Sequence, residues 1–345
     1  MSPAPERALA RIDLGAIERN CARLPKPLCA VVKADGYGHG RVAEAALAGG
    51  ASWLAVATAG ELAGLPRELP RLVMGAVTRA ELREVVEAGA DLVAWTDEVA
   101  EAAPRVHVKL DTGMGRFGTK DRELALRLAS RPNVVAVMTH FATADEPGDG
   151  LFDEQLAAFT RFVDDLGRDD LVAHAANSAA TLREPAARFD LVRCGVAVYG
   201  MDPFHEDPAG HGLEPALSLR SWVAAVRRFE RGDSAGYGRR WLAEEPTWVA
   251  TIPLGYGDGW RRALTNNCDV LIRGRRHPLV GTVSMDNITV ALGPDTDVRV
   301  GDEVVLIGEQ GAERILAEEV ARRLGTINYE VTCALSPRVR REYVR

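Results

Sequence analysis

Lysine is scarce in this chain of 345 residues. Only Lys26, Lys33, Lys109 and Lys120 occur among 42 basic side chains, and all the others are arginine. Arginine keeps its proton near neutrality, so a lysine inside an apolar run points to chemistry that needs an amine. Cysteine is also sparse. The five (Cys21, Cys29, Cys194, Cys268, Cys333) are widely spaced, odd in number and form no C-x-x-C pair. That argues against a disulfide framework and for a reducing compartment. No run approaches the roughly 18 apolar residues of a membrane span. The opening MSPAPERALA lacks the apolar core of a secretory signal, so the expected location is cytoplasmic. Positive charge is not in excess either: the net charge is −7, unlike the basic footprint of a nucleic-acid binder. Neither nucleic acid nor a membrane is expected as a partner, and no metal site is expected.

What is present is ordinary globular composition, 47% hydrophobic and 26% charged. The length suggests about two domains on a prior of roughly 150 residues each. Short β-type runs recur over the first two hundred residues: LCAVVK (28–33), WLAVAT (53–58), RLVMG (71–75), DLVAW (91–95), VHVKLD (106–111), VAVMTH (135–140), LVAHAAN (171–177) and LVRCGVAV (191–198). Several are continuously apolar, as in parallel strands covered on both faces. Between them lie helix-type segments, several opening on a capping residue such as Thr78, Thr96 or Asp121. The pattern predicts an α/β fold with an N-terminal (β/α)8 TIM-type barrel over residues 1–212. A doubly wound sheet is disfavoured because no G-x-G-x-x-G follows the first strand. The polar segment DPAGHG (207–212) marks a boundary. Beyond it, SWVAAVRRF, TWVATIPL, DVLIRG, HPLVGTVSM, NITVAL and DEVVLIG predict a mostly β domain over 213–345. The first few residues are expected to pack with that second domain.

Barrel enzymes carry their chemistry at the C-terminal strand ends. Those ends hold Lys33, Lys109, His140, Asn177 with Ser178, and Arg193 with Gly195. Each has a plainer reading by itself. Lys33 reads equally as a lysine reaching out from a strand end, His140 as a hydrogen-bonded core histidine, and Asn177-Ser178 as a helix cap. Together they suggest more. A lysine at the mouth of an apolar barrel is more readily neutral and suits a Schiff base with a carbonyl. Small groups after the last two strands, Ser178 with the backbone at Gly195 and Val196, suit a phosphate. An aldehyde that carries a phosphate and reacts with lysine is pyridoxal phosphate, with Arg193 on the far side of its ring and His140 packed against it.

AVVKADGYGHG (30–40) resembles the pyridoxal-phosphate signature of the alanine racemases. VKLDTGMGRFG, MTHFATAD, HAANSAA, VRCGVAVYG, GYGDGW, VGTVSMDN and TINYEVTCALSPRVRR resemble the same family in its order, from Ile12 to Arg341. The resemblance implies an isomerase, an alanine racemase working as a homodimer with shared sites, in which Lys33 holds the cofactor and acts as one base. Tyr237, in GDSAGYGRRW, would be the second base, supplied by the partner subunit; from its own surroundings it reads only as a turn residue. Removing a proton from one face of Cα and returning one to the other needs two such groups. Arg193 would face the pyridine nitrogen, where related barrel decarboxylases carry a carboxylate. Lys109 would be carbamylated and orient Arg116 towards the cofactor and the substrate carboxylate; otherwise each charge would meet its own carboxylate, Asp111 for instance. Tyr37 would join the cofactor site, and Tyr329 would bind the phosphate and narrow the pocket. The Met285 backbone would bind the substrate carboxylate, and Tyr256 would stand at the substrate entrance. Arg262, Asp286 and Arg341 would surround the tyrosine base. Asp35-Gly36 departs from the Asn-Ala common in the family, and Arg340 from a common proline.

The leading function is thus interconversion of L- and D-alanine, supplying D-alanine for peptidoglycan. The alternatives are a broad-specificity amino-acid racemase on the same scaffold, a barrel decarboxylase, and a non-catalytic pyridoxal-phosphate-binding protein. Arg193 speaks against the decarboxylase, and the β-rich second half against the carrier.

Overall fold

The computed structural model describes residues 6–345. The chain divides into two compact units. Strand β1 (Leu9–Asp13) belongs to the second. The first, residues 17–37 and 41–214, contains eight parallel strands: β2 (Leu28–Val31), β3 (Trp53–Val56), β4 (Arg71–Val73), β5 (Asp91–Ala94), β6 (Val106–Lys109), β7 (Val134–Met138), β8 (Val172–His174) and β9 (Val192–Cys194). Their order is β8-β7-β6-β5-β4-β3-β2-β9. Backbone bonds join the ends of this sheet: the Asp190 amide donates to Ala173 O at 3.0 Å, and the Arg193 amide to Ala176 O at 2.9 Å. The result is a nearly closed TIM-type barrel. Every residue of β2, β5 and β6 is buried; β2 accordingly reads as an unbroken apolar run, while β5 and β6 carry buried Asp91, His107 and Lys109.

Capping side chains start the surrounding helices where the sequence predicts. Thr78 Oγ1 accepts from the Glu81 amide at 3.3 Å while the Glu81 carboxylate accepts from the Thr78 amide at 2.8 Å. This reciprocal box opens the helix Arg79–Ala88, and left-handed Gly89 closes it. Thr96 and Asp121 cap the helices Asp97–Ala102 and Arg122–Ala129 by a single side-chain bond each, accepting from the amides of Val99 and Leu124, each cap contributing about 1 kcal/mol.

The second unit comprises residues 6–16, 38–40 and 215–345. Its strands are β1, β10 (Leu217–Trp222), β11 (Ala225–Phe229), β12 (Thr247–Ile252), β13 (Asp269–Ile272), β14 (Arg275–Pro278), β15 (Ile288–Gly293), β16 (Glu303–Gln310), β17 (Glu313–Ile315) and β18 (Arg340–Val344). One sheet runs β14-β13-β16-β10-β1-β18 with β17 against β16, and another runs β11-β12-β15. SWVAAVRRF, which reads as one strand, is divided between the two sheets. The Val223 amide donates to Asp302 O beside β16, and the next amide, Ala224, donates to Thr251 O on β12. Consecutive residues thus serve different sheets, a corner that local pattern does not reveal. Among the described residues, no helix is long and apolar enough to cross a membrane.

Candidate active site

The strand carrying Lys33 is shorter than its sequence suggests. β2 stops at Val31, and Lys33 opens a left-handed turn with φ of 54° at Ala34, 52° at Asp35, 58° at Gly36 and 54° at Tyr37. Residues with a Cβ resist this region by about 1–2 kcal/mol each, so the turn needs support. Glu61 supplies it: its carboxylate accepts from the amides of Ala34 at 2.7 Å, Ala57 at 2.8 Å and Thr58 at 3.1 Å. Gly36 is closely fitted, since a Cβ there would lie 2.9 Å from Val42 Cγ2. The turn leaves Lys33 half-buried at the barrel rim. Tyr37 is buried, its ring 5.0 Å from that of Tyr199.

Around the same rim the charges are predominantly positive. Lys109 ends β6 with 5% of its surface exposed. Burial first, then the charges of Arg116 and Arg193, lower its amine to about 8, opposed by Asp111. Asp111 itself is engaged by the amides of Gly113, Met114 and Gly115 at 3.1, 2.8 and 3.1 Å. His140 follows β7 and is held neutral by desolvation and then by Arg193, Lys109, Arg116 and Lys33. Of these cations Arg193 is in direct reach, its Nη2 lying 3.2 Å from His140 Nδ1.

Arg193 is 3% exposed. Its Nη1 lies 2.8 Å from His174 Nδ1 and its Nη2 donates to Thr139 O at 2.9 Å and Ala175 O at 3.0 Å, with His140 Nδ1 at 3.2 Å. Burial lowers it to about 10, so it stays a cation at neutral pH.

After β8 and β9 the candidate phosphate groups serve the local backbone. Asn177 caps the helix Ser178–Arg183, its Oδ1 accepting from the Ala180 amide at 2.9 Å. Ser178 Oγ accepts from the amides of Gly195 at 3.1 Å and Ala197 at 3.3 Å, pinning the turn that contains buried Val196. A side chain on Gly195 would overlap the Tyr37 hydroxyl. The helix-cap reading holds for Asn177, and Ser178 organises the turn after β9.

The structure also shows partners that sequence reasoning passed over. His174 links Arg193 to His107, and His107 links to Asp91. Both histidines stand inside quoted segments, and His107 shares a strand face with Lys109 two residues on. That shared face was the available signal.

In the second unit, Tyr237 is 75% exposed. Its carbonyl accepts from Thr282 Oγ1 at 2.6 Å, while Tyr256 and Gly257 donate their amides to Ser284 O at 3.0 Å and Met285 O at 2.9 Å. Three linked loops thus present Tyr237, Tyr256 and Met285, all exposed. Exposed Arg262 borders a surface hollow with Arg240 and Asn266. Asp286 pairs with Arg338 at 2.6 Å, and Arg341 donates to the carbonyls of Gly38, Leu335, Ser336 and Val339. Tyr329 is half-buried on the helix Asn328–Cys333.

Two family models match, the N-terminal domain of alanine racemase over residues 12–203 and its C-terminal domain over 216–343. The chain belongs to the alanine racemase family. An alanine racemase of Symbiobacterium thermophilum is 41% identical over 97% of this chain and 96% of its own length. The crystal structure of an alanine racemase from E. faecalis superposes with a TM-score of 0.91 at 36% identity, covering 98% of each chain. An alanine racemase from Bartonella henselae, with covalently bound pyridoxal phosphate, superposes with a TM-score of 0.88 at 28% identity over 99% of this chain and all of its own. The alanine racemase family depends on pyridoxal phosphate, and the residues here fit that group. An amine at the rim, a buried guanidinium and a surplus of positive charge suit an aldehyde whose phosphate brings negative charge.

Proposed function

We propose that this chain interconverts L- and D-alanine with pyridoxal phosphate, as a homodimer whose active sites are each built from both subunits. The observation that carries the reading is the rim itself: Lys33 follows β2, Lys109 ends β6, and buried Arg193 on β9 lies 3.2 Å from His140 Nδ1 after β7. When bound, the cofactor supplies an electron sink that makes the substrate Cα proton removable.

The protein's own groups do the rest. Lys33 Nζ holds the cofactor and moves a proton on one face of Cα. Tyr237 of the partner subunit moves one at its hydroxyl on the other face, and its exposure in a single chain supports that role. Arg193 would hold the cofactor's ring nitrogen as a donor that keeps its own proton, which would weaken the sink and restrain transamination. Lys109 carries a carbamate and orients Arg116 towards the substrate carboxylate. The low proton affinity of Lys109 supports this reading, because a neutral amine is the form that captures carbon dioxide. Tyr37, His140, Asn177, Ser178, Gly195, Val196 and Tyr329 hold the cofactor. The Met285 backbone and Tyr256 serve substrate binding and entrance from the partner, with Arg262, Asp286 and Arg341 supporting the tyrosine base. The setting we infer is the cytoplasm, and the product serves peptidoglycan.

The test is incubation with pyridoxal phosphate, L-alanine and other L-amino acids in heavy water, followed by chiral chromatography with mass detection. D-Alanine carrying an α-deuterium, with little turnover of larger substrates, is expected. Equal turnover of large amino acids would make it a broad-specificity racemase. Amine products would make it a decarboxylase, and cofactor binding without turnover would leave a carrier.

A further inference from the structure

A file of buried polar groups crosses the barrel interior behind Arg193. Arg105, half exposed, donates from Nε to Asp91 Oδ1 at 2.7 Å. Asp91 Oδ2 lies 3.1 Å from His107 Nε2, His107 Nδ1 lies 2.9 Å from His174 Nε2, and His174 Nδ1 lies 2.8 Å from Arg193 Nη1. Asp91 is 2% exposed, both histidines 0% and Arg193 3%. The four stand on β5, β6, β8 and β9, and the Trp53 ring meets His107 edge-on at 5.4 Å.

The two ends of the file fix every proton in it. A carboxylate only accepts, and a guanidinium only donates. Asp91 therefore requires the His107 proton on Nε2, leaving Nδ1 to accept from His174 Nε2–H. His174 Nδ1 is then the acceptor for Arg193. An imidazolium at either position would set two hydrogens against each other in one bond. The opposite tautomer would break the file at one ring or the next. Desolvation agrees, holding both rings below their ordinary proton affinity. Each neutral ring passes the polarisation of Asp91 onward, as a carboxylate does through a metal-bound histidine.

We propose that Asp91, His107 and His174 are positioning residues for Arg193, whose fixed guanidinium leaves only its remaining hydrogens for the cofactor's ring nitrogen. Nη1 is committed to His174 and Nη2 to the Thr139 and Ala175 carbonyls, so the guanidinium cannot rotate without breaking several buried bonds. The role rests on the assignment of Arg193 to the ring nitrogen; the proton order of the file does not.

The direct test is long-range proton–nitrogen NMR of the 15N-labelled holoenzyme at neutral pH. Both His107 and His174 are expected as neutral Nε2–H tautomers, and an Nδ1–H tautomer or an imidazolium at either would overturn the file. A second test compares His174→Leu with His174→Gln, whose amide can both accept from Arg193 and donate to His107. The leucine variant is expected to lose about tenfold in kcat with little change in KM, to shift the bound cofactor's absorption band and to raise the share of turnovers lost to transamination. The glutamine variant is expected to recover most of each. A purely structural role would lower thermal stability while leaving the band and the partition unmoved, and that result would overturn positioning. An unaltered enzyme that binds cofactor yet racemises nothing would overturn the proposed function alone, since NMR and absorption still read the file.

Discussion

Lys109 shows how burial sets chemistry at a single residue. Its ordinary value is 10.5, and burial beside Arg116 and Arg193 brings it to about 8. The unfolded chain then binds more protons between about 8 and 10.5. The unmodified protein therefore gains stability as pH rises through that window and carries the cost of the buried ammonium below it. A carbamate removes the cost by replacing the cation with an anion beside two guanidinium groups. With 13C-bicarbonate, a carbamate carbon signal should appear, strengthen from pH 7 to about 8.5 as the amine loses its proton, and vanish in Lys109→Ala. No signal in the unaltered protein would leave Lys109 a plain lysine. Lys33 and Lys109 were legible in the sequence because lysine is rare where arginine abounds. His107 and His174 were not, because a buried neutral histidine within a β run looks the same whether it fills space or passes a hydrogen bond along. Only the distances to Asp91 and Arg193 separate the two.

Among elements, the left-handed turn after β2 is the most demanding piece of backbone, and Glu61 holds it from another segment. Glu61→Ala removes one acceptor from three amides, which should cost about 1–2 kcal/mol. The expected result is a lower unfolding midpoint together with roughly tenfold weaker cofactor binding, measured by thermal denaturation and absorbance titration. Unchanged binding would show that the turn holds itself. The sequence places most barrel elements well, because short apolar runs and caps such as Thr78 and Asp121 are local signals. It reads LCAVVK as strand through Lys33, whereas β2 ends at Val31, since the positive φ values that follow depend on Glu61, 27 positions beyond Ala34. It also joins β10 to β11, because the corner at Val223 and Ala224 is set by Asp302 and Thr251.

At the scale of the whole molecule, the proposed mechanism places the two bases on different subunits. Tyr237 is 75% exposed, Met285 51% and Tyr256 42%, an apolar cluster of the kind that marks an interface. Nothing in GDSAGYGRRW singles out that tyrosine except the family resemblance, since its partners are not in its own sequence neighbourhood. The most direct measurement is therefore complementation between Lys33→Ala and Tyr237→Phe chains, each inactive alone, after mixing and verified subunit exchange. A shared site predicts that each heterodimer carries one intact site, restoring about a quarter of unaltered activity when two-fold dimers exchange at random from equal amounts. Heterodimers present in full with no recovered racemisation would contradict it, placing both bases within one chain or removing Tyr237 from the reaction.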